Sequence, residues 1–361
     1  MLAAALYQTV YLIIVLVLTV YLINKYMKVD FMDTDRGLLS GRIIALWLTV
    51  FLILFIGLRP LSYVFVDMTN YNAQYNVFLK GKPFEFTWEV SNFIFDNLFS
   101  FWESALLPIK YFFLLVATVY FGGIFWACRK IFPDDMALAL LVYLGAFSTF
   151  SYGTNGIKAG AAASVFLLAL AYRDNLKLSV AFLILSLGFH HAMAAPVGVF
   201  ILAYFIKNKD YYLYGWIICL VMAALHITFF QSLFASFSED KRYLVVDVAK
   251  EVEVSGFRPD FILYSAIPIF LGYYLTKKHD IDSEDYNFMW NVYTGTNIIF
   301  LLCTYGSFIN RIAYLSWLMY PIVLIYPFLY FDLGERQHRY LRYAVLGHLA
   351  FTLFMSFIYY A

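Results

Sequence analysis

A dozen apolar stretches, most of them close to bilayer-spanning length, follow one another along this chain and leave little room for anything else. A transmembrane helix needs roughly 20 mostly apolar residues. Stretches of this kind lie near 2–24, 43–58, 109–126, 137–152, 158–172, 178–190, 191–206, 212–230, 261–276, 286–303, 312–331 and 343–360. Hydrophobic residues fill 63% of the 361 positions and charged residues only 14%, against about 25% charged in soluble domains. The expected fold is therefore an all-α polytopic membrane protein with about 12 transmembrane helices, built as a single integral membrane domain over 1–361. No separate soluble catalytic domain fits between the spans. The first run lacks a basic leader and reads as a retained helix rather than a cleaved signal. The pair 178–190 and 191–206 is short enough to be one broken or re-entrant element instead.

Orientation follows from the basic residues. Fifteen of the 25 Lys and Arg side chains fall in the short connections 24–42, 127–136, 173–177, 207–211, 277–285 and 332–342. The other connections, 59–108, 153–157, 231–260 and 304–311, are longer in total and hold fewer. The positive-inside rule puts the first set in the cytoplasm and both termini outside. A net charge of +1 provides no field for nucleic acid. Cys128, Cys219 and Cys303 are far apart in apolar runs, which suggests neither a disulfide framework nor a zinc site.

Two outer segments, 59–108 and 231–260, are too long to be simple turns and are expected to cap a site. In 86–103, Glu89, Asn92, Asp96, Ser100 and Glu103 recur every three or four positions between large aromatics, the pattern of an amphipathic interfacial helix. In 63–79, Asp67, Tyr71 and Gln74 share one helical face. The acidic set Asp240, Asp247, Glu251 and Glu253 reads as a solvated helix face. From about 111 onward the helix interiors are nearly free of ionisable residues, which argues against an ion-coupled transporter. The charges that break the positive-inside pattern stand instead at outer helix ends: Arg59, Lys158, Arg258 and Arg311, with His190 and His191 at the tip of the short pair. A basic residue in such a place also serves as a snorkelling anchor, and a single histidine there as an ordinary interfacial residue. Their gathering on one side is what favours a site. Cations suited to phosphate, with aromatics such as Tyr71, Tyr75 and Trp88 that stack on sugar rings, match an anionic, lipid-linked, sugar-bearing ligand.

The runs Gly57-Leu58-Arg59 with Asp67-Met68-Thr69-Asn70-Tyr71, Asn155-Gly156-Ile157-Lys158, Phe189-His190-His191-Ala192, Gly256-Phe257-Arg258-Pro259-Asp260-Phe261-Ile262-Leu263-Tyr264-Ser265 and Asn310-Arg311-Ile312 resemble, in this order, the EpsG family. These are Wzy-like polymerases of bacterial exopolysaccharide, capsule and O-antigen repeats. The resemblance runs from about Gly57 to Pro327 and implies a fold like the C-type integral membrane glycosyltransferases. It implies a multi-pass protein of the bacterial cytoplasmic membrane that joins undecaprenyl-pyrophosphate-linked repeats on the outer face. No cofactor or metal is implied. The lipid-linked donor and acceptor would be the partners, with a chain-length regulator and a flippase beside them. One departure stands out: Lys158 occupies a position where an arginine is expected, which keeps the charge but loses the bidentate fork.

Glycosyl transfer to a diphosphate-bearing donor needs cations for the leaving group and a base for the acceptor hydroxyl. Arg59, Lys158, Arg258 and Arg311 are the diphosphate candidates. Tyr71, Asn155, His191, Asp260 and Asn310 are further binding candidates. Asp67 and His190 are the candidate bases, and His190 is favoured because an ordinary imidazole titrates near about 6.5 and an exposed Asp near about 3.9. Asp33 and Asp35 lie in a cytoplasmic loop, so no metal constellation faces outward. A transferase using a polyprenyl-monophosphate sugar would draw on the same residues. A lipid-linked oligosaccharide flippase should carry polar groups along its interior, whereas the charges here stop at the rim. A membrane O-acetyltransferase would need its histidine and arginine on the cytoplasmic side.

Overall fold

The computed structural model describes residues 2–27, 41–77, 83–230, 256–306 and 309–360. Among them the chain is helical with no strand. Segment 231–255, with its acidic set, and Asp33 and Asp35 lie outside the described residues. Among the described residues, four helical stretches are long and apolar enough to cross a bilayer: Ala4–Tyr26, Ile109–Ile131, Ile309–Tyr330 and Gln337–Tyr359. Shorter apolar helices are Arg42–Gly57, Ile157–Ala171, Leu176–Phe189 and His191–Phe205. Large apolar side chains such as Ile13, Val17, Trp47, Leu54, Leu185 and Phe205 are exposed. Such surface is stable against lipid rather than water. This is a membrane protein.

The chain divides into two compact units, Met1–His190 with His338–Ala361, and His191–Gln337. In the first unit the helices are α1 (Tyr7–Tyr26), α2 (Arg42–Gly57), α3 (Val66–Val77), α4 (Phe93–Ser104), α5 (Ile109–Ile131), α6 (Met136–Leu144), α7 (Thr149–Thr154), α8 (Ile157–Ala171) and α9 (Leu176–Phe189). Its centre is α8, whose run of Gly and Ala lets α5 and α9 approach closely. Where helices meet without a hydrophobic drive from water, small residues and hydroxyl-to-carbonyl bonds do the joining. Ser164 Oγ donates to Val119 O of α5 at 3.1 Å. From α9, Ser179 and Ser186 donate to the α8 carbonyls of Ala169 and Ala162 at 3.0 and 2.8 Å.

The apolar stretch near 137–152 is not one helix. It ends at Leu144 and resumes at Thr149. A helix end buried in an apolar interior needs donors for its last carbonyls. Four side chains provide them: His348 Nε2 to Val142 O, Thr149 Oγ1 to Tyr143 O, Tyr11 Oη to Leu144 O and Thr352 Oγ1 to Gly145 O, at 3.1, 2.7, 2.7 and 2.7 Å. His348 and Thr352 come from the C-terminal helix Gln337–Phe354, which is thereby tied to this break.

The amphipathic helix expected over 86–103 also differs. It begins only at Phe93, and the chain before it is held alongside by Asn97, whose side chain bonds both the N–H and the carbonyl of Thr87 at 2.9 and 2.7 Å. Its polar stripe turns inward: Asn92 and Glu103 are 1% and 2% exposed.

The second unit holds α10 (Ala194–Phe205), α11 (Lys209–Ala224), α12 (Pro259–Lys278), α13 (Glu284–Leu302), α14 (Ile309–Trp317) and α15 (Tyr320–Tyr330). Buried aromatics fill it, and two of its tryptophans have their indole N–H satisfied. Trp216 Nε1 donates to Asn297 Oδ1 and Trp317 Nε1 to Ser265 Oγ, both at 2.7 Å. Pro327 inside α15 has no N–H for the carbonyl four residues earlier; Tyr286 Oη donates to that Val323 carbonyl instead, at 3.1 Å. Between α9 and α10, His190 is extended (φ −154°, ψ 117°) and His191–Met193 forms one 3-10 turn, so the helix breaks at the two histidines.

Candidate active site

At one end of the first unit, the C-terminal ends of α2, α7 and α9 gather with the N-terminal ends of α3, α4 and α8. Gly57, the last residue of α2, allows the approach to α5: a Cβ there would lie 2.9 Å from the Leu114 backbone. The chain then turns and carries Arg59 inward, leaving it 4% exposed. Arg59 Nη1 donates to Ile56 O at 2.6 Å and Nη2 to Thr154 O at 2.9 Å, and the guanidinium lies over the rings of Phe65 and Phe113. Its Nε is buried with no hydrogen-bond acceptor among the described residues. Burial pulls its pKa down to about 10, while the nearby Asp67 carboxylate opposes the shift. Arg59 is thus a cation at neutral pH, buried and bonded to two backbone carbonyls rather than to solvent. It does not snorkel.

Asp67, in the first turn of α3, accepts the N–H of Ile157 at 3.3 Å. That N–H opens α8, where unpaired amides and the helix dipole favour an anion. Asn155 reaches Val64 O at 3.5 Å, a long bond at best, and its Oδ1 is buried without a donor among the described residues. Gly160, one turn along, packs so tightly that a Cβ would lie 2.6 Å from the Tyr152 carbonyl. Tyr71 stands against Phe95 and Phe99 of α4, with ring centroids 5.5 Å away in each case.

Lys158 meets a partner that the sequence does not announce. Its Nζ donates to Asp96 Oδ1 at 3.1 Å and lies over the Phe95 ring. Asp96 Oδ2 in turn accepts the backbone N–H and the side-chain amide of Asn92, at 3.3 and 3.2 Å. Asn92 Oδ1 lies 3.1 Å from His190 Nδ1. Of the expected site residues, Arg59, Asp67, Tyr71, Asn155, Lys158 and His190 are therefore gathered in this unit.

The rest are in the second unit. Arg258 precedes α12 and holds Asp260 through a fork, Nε to Oδ1 at 2.9 Å and Nη2 to Oδ2 at 2.5 Å, over the ring of Phe261. Arg311, in α14, is exposed; Asn310 and His191 are half-buried. Arg258 is largely buried and Arg311 exposed, so the two arginines of this unit are not equivalent.

Among the described residues no group of three or more His, Cys, Asp or Glu is arranged to hold a metal ion. Glu103, which the sequence pattern placed in the polar stripe of an amphipathic interfacial helix, is instead buried. Neither of its carboxylate oxygens has a hydrogen-bond partner among the described residues, and burial raises its pKa to about 7.

The EpsG family model matches residues 43–361, which takes in every residue of both clusters. The chain belongs to the EpsG family. Membership implies a polysaccharide-polymerase-like glycosyltransferase. No curated protein and no solved structure matches the chain.

Proposed function

We propose that this EpsG-family protein joins undecaprenyl-pyrophosphate-linked oligosaccharide repeats by glycosyl transfer on the outer face of the bacterial cytoplasmic membrane, in a bundle of about 12 spans like that of the C-type glycosyltransferases, without a metal. The observation that carries the reading is the buried cation Arg59 beside Asp67 and the opening of α8, linked through Lys158 to the chain that ends on His190. Cations, a carboxylate and an imidazole at one end of apolar helices are what this transfer needs. In the reaction the acceptor hydroxyl oxygen bonds to the donor's anomeric carbon as the carbon–oxygen bond to polyprenyl diphosphate breaks. The hydroxyl proton passes to His190, and the departing diphosphate gains negative charge that Arg59 stabilises. Asp67 orients Arg59 and holds the start of α8. Lys158, Arg258 and Arg311 add positive charge, and Tyr71, Asn155, Asn310, His191 and Asp260 contact sugar or phosphate. The partners are the two lipid-linked glycans, a chain-length regulator and a flippase.

The deciding experiment deletes the gene and follows lipid-linked glycan. Single repeats held on the outer face support a polymerase; repeats trapped inside support a flippase. With purified protein and a lipid-linked repeat in EDTA, His190→Ala should abolish polymerisation while donor binding survives. A dead Asp67→Asn beside a fully active His190→Ala would exchange their roles. Activity lost in EDTA and restored by a divalent cation would reject the metal-free mechanism. Cysteines at Lys80 and Val245 of a cysteine-free variant should react with an impermeant thiol reagent in spheroplasts, and one at Glu335 should not; the inverse pattern would turn the topology over.

A further inference from the structure

The chain Lys158–Asp96–Asn92–His190 has a proton logic of its own. Lysine has only donors, so Lys158 Nζ donates to Asp96 Oδ1 at 3.1 Å. Asp96, ion-paired with Lys158, accepts. The group of Asn92 that faces Asp96 Oδ2 at 3.2 Å must then be the amide NH2, since two oxygens would repel. The backbone N–H of Asn92 converges on the same oxygen at 3.3 Å, a reciprocal bond across the first turn of α4 like half of a capping box. With its NH2 turned to Asp96, Asn92 presents Oδ1 to His190 Nδ1 at 3.1 Å. An amide oxygen carries no proton, so the proton of this bond is on Nδ1. In the neutral ring the lone pair is then on Nε2.

The surrounding structure keeps this chain in register. Asn92 is 1% exposed, and removal from water makes each of its hydrogen bonds costly to lose. His190 N still donates to Ser186 O at 3.0 Å, so the histidine leaves α9 at a set angle. Two residues earlier, Gly188 lets α4 lie directly on α9: a Cβ there would be 2.5 Å from Ile94 Cδ1 and 2.8 Å from Phe93 Cζ.

We propose that Asn92 and Asp96 are positioning residues that hold His190 as its Nδ1–H tautomer, making Nε2 the nitrogen that takes the acceptor's hydroxyl proton. This rests on the reading of His190 as the base. Lys158 anchors the far end of the chain, so its main charge partner is Asp96. When the proton moves, the O–H bond breaks, an Nε2–H bond forms and the imidazolium keeps its Nδ1–H on Asn92 Oδ1. The charged groups facing His190 through this chain are Asp96 and Lys158.

The test is nitrogen NMR on full-length protein in lipid nanodiscs with labelled histidine, the His190 signals assigned by their loss in His190→Gln. Wild-type protein should show neutral His190 protonated at Nδ1. Asn92→Leu should lose that pattern and lower kcat by roughly a hundredfold or more, as a wrong tautomer does elsewhere, with KM for the lipid-linked repeat little changed. Asn92→Asp, made together with Asp96→Asn so that an amide NH2 still faces position 92, keeps an acceptor and should keep the tautomer, while its carboxylate favours imidazolium and moves the acid limb of the kcat–pH profile upward. A residue that only clamps α4 to α9 would change stability without that movement. Should Asn92→Leu fail to fold, the wild-type spectrum and the double variant still decide. Protonation at Nε2 in the wild type, an unaltered pattern in Asn92→Leu, or an unmoved acid limb in the double variant overturns the proposal. Normal polymerisation by His190→Gln would instead defeat the base reading and the catalytic use of the tautomer together, whatever the spectrum shows. An inactive His190→Gln beside a wrong tautomer defeats this proposal alone.

Discussion

Arg59 and Lys130 stand at opposite ends of the same group of helices and are handled in opposite ways. Lys130, near the C-terminus of α5, is exposed and rests over the ring of Tyr172. Its neighbours follow suit: Arg129 lies over Trp126, and Arg42 reaches the Pro133 carbonyl at 3.2 Å from an exposed position. These are cations supported on aromatic faces and carbonyls with their charge in solvent, as snorkelling requires. Arg59 lies beside Phe113, seventeen residues and about 25 Å back along α5 at 1.5 Å per residue. There the charge is inside, Arg59 faces Asp67, and Lys158 is taken up by Asp96. A helix-end cation is thus held in solvent at one end of these helices and taken inside, against other side chains, at the other. Residue type alone does not distinguish the two.

That contrast can be broken by substitution, and the largest effect should come from Arg59. Arg59→Gln should lower polymerisation by roughly a hundredfold or more, the loss typical of a removed transition-state charge contact. Lys130→Gln should stay within about twofold at equal protein levels. Equal behaviour of the two variants, measured as turnover of a lipid-linked repeat, would erase the distinction. Arg59→Lys should recover little, because a single ammonium cannot reach both Ile56 O and Thr154 O as the guanidinium does.

Next in size is Gly160→Val. The new side chain meets a backbone carbonyl at Tyr152, so α8 must shift at the end that carries Lys158 and whose first N–H is held by Asp67. Overpacking of this kind costs about 1–3 kcal/mol. A thermal-shift midpoint well below wild type, with activity falling in parallel, is the expected result; an unchanged midpoint would show that α7 and α8 separate freely.

Glu103 sharpens the comparison through pH. Burial raises its carboxyl from an ordinary 4.5 to about 7 in the folded protein. Below pH 4.5 it is protonated whether folded or unfolded, and it contributes no difference. Between 4.5 and 7 folding takes up a proton, so stability falls as pH rises, and above 7 the full cost of a buried carboxylate is present. Glu103→Gln should therefore raise the thermal midpoint at pH 8 by a few degrees, with the gain fading toward pH 5. A gain of equal size at both pH values would mean that charge is not the cause.

The smallest effect belongs to the wet end. Arg42→Ala, which removes an exposed bond to Pro133 O, should change stability by no more than about 0.5 kcal/mol.

Much of this arrangement was legible before any tertiary contact was known. All twelve apolar stretches contain helix, because a run of such residues satisfies its own backbone only by coiling. Arg59, Lys158, Arg258 and Arg311 stood out as basic residues that break the positive-inside pattern, and Asp67 and His190 as groups with chemistry to offer. The break at 145–148 was not legible: what stabilises it are donors from Tyr11, His348 and Thr352, remote in sequence from the carbonyls they cap. The i, i+4 pair Asn92 and Asp96 fits a wet helix face as readily as a dry one. Period shows that two residues share a face, and only packing shows what that face meets.

From its sequence alone this protein is committed to an apolar helical body, to charges gathered at helix ends, and to the EpsG set of motifs. Those are properties of local composition and order, which water and lipid read directly along the chain. Tertiary structure decided which cation is dry, which is paired and which nitrogen of His190 faces Asn92. Each depends on a second residue brought near by packing: Thr154 for Arg59 across 95 positions, Asp96 for Lys158 across 62, Asn92 for His190 across 98. A charge or a tautomer is set by the nearest groups in space, and over such separations only the fold determines which groups those are.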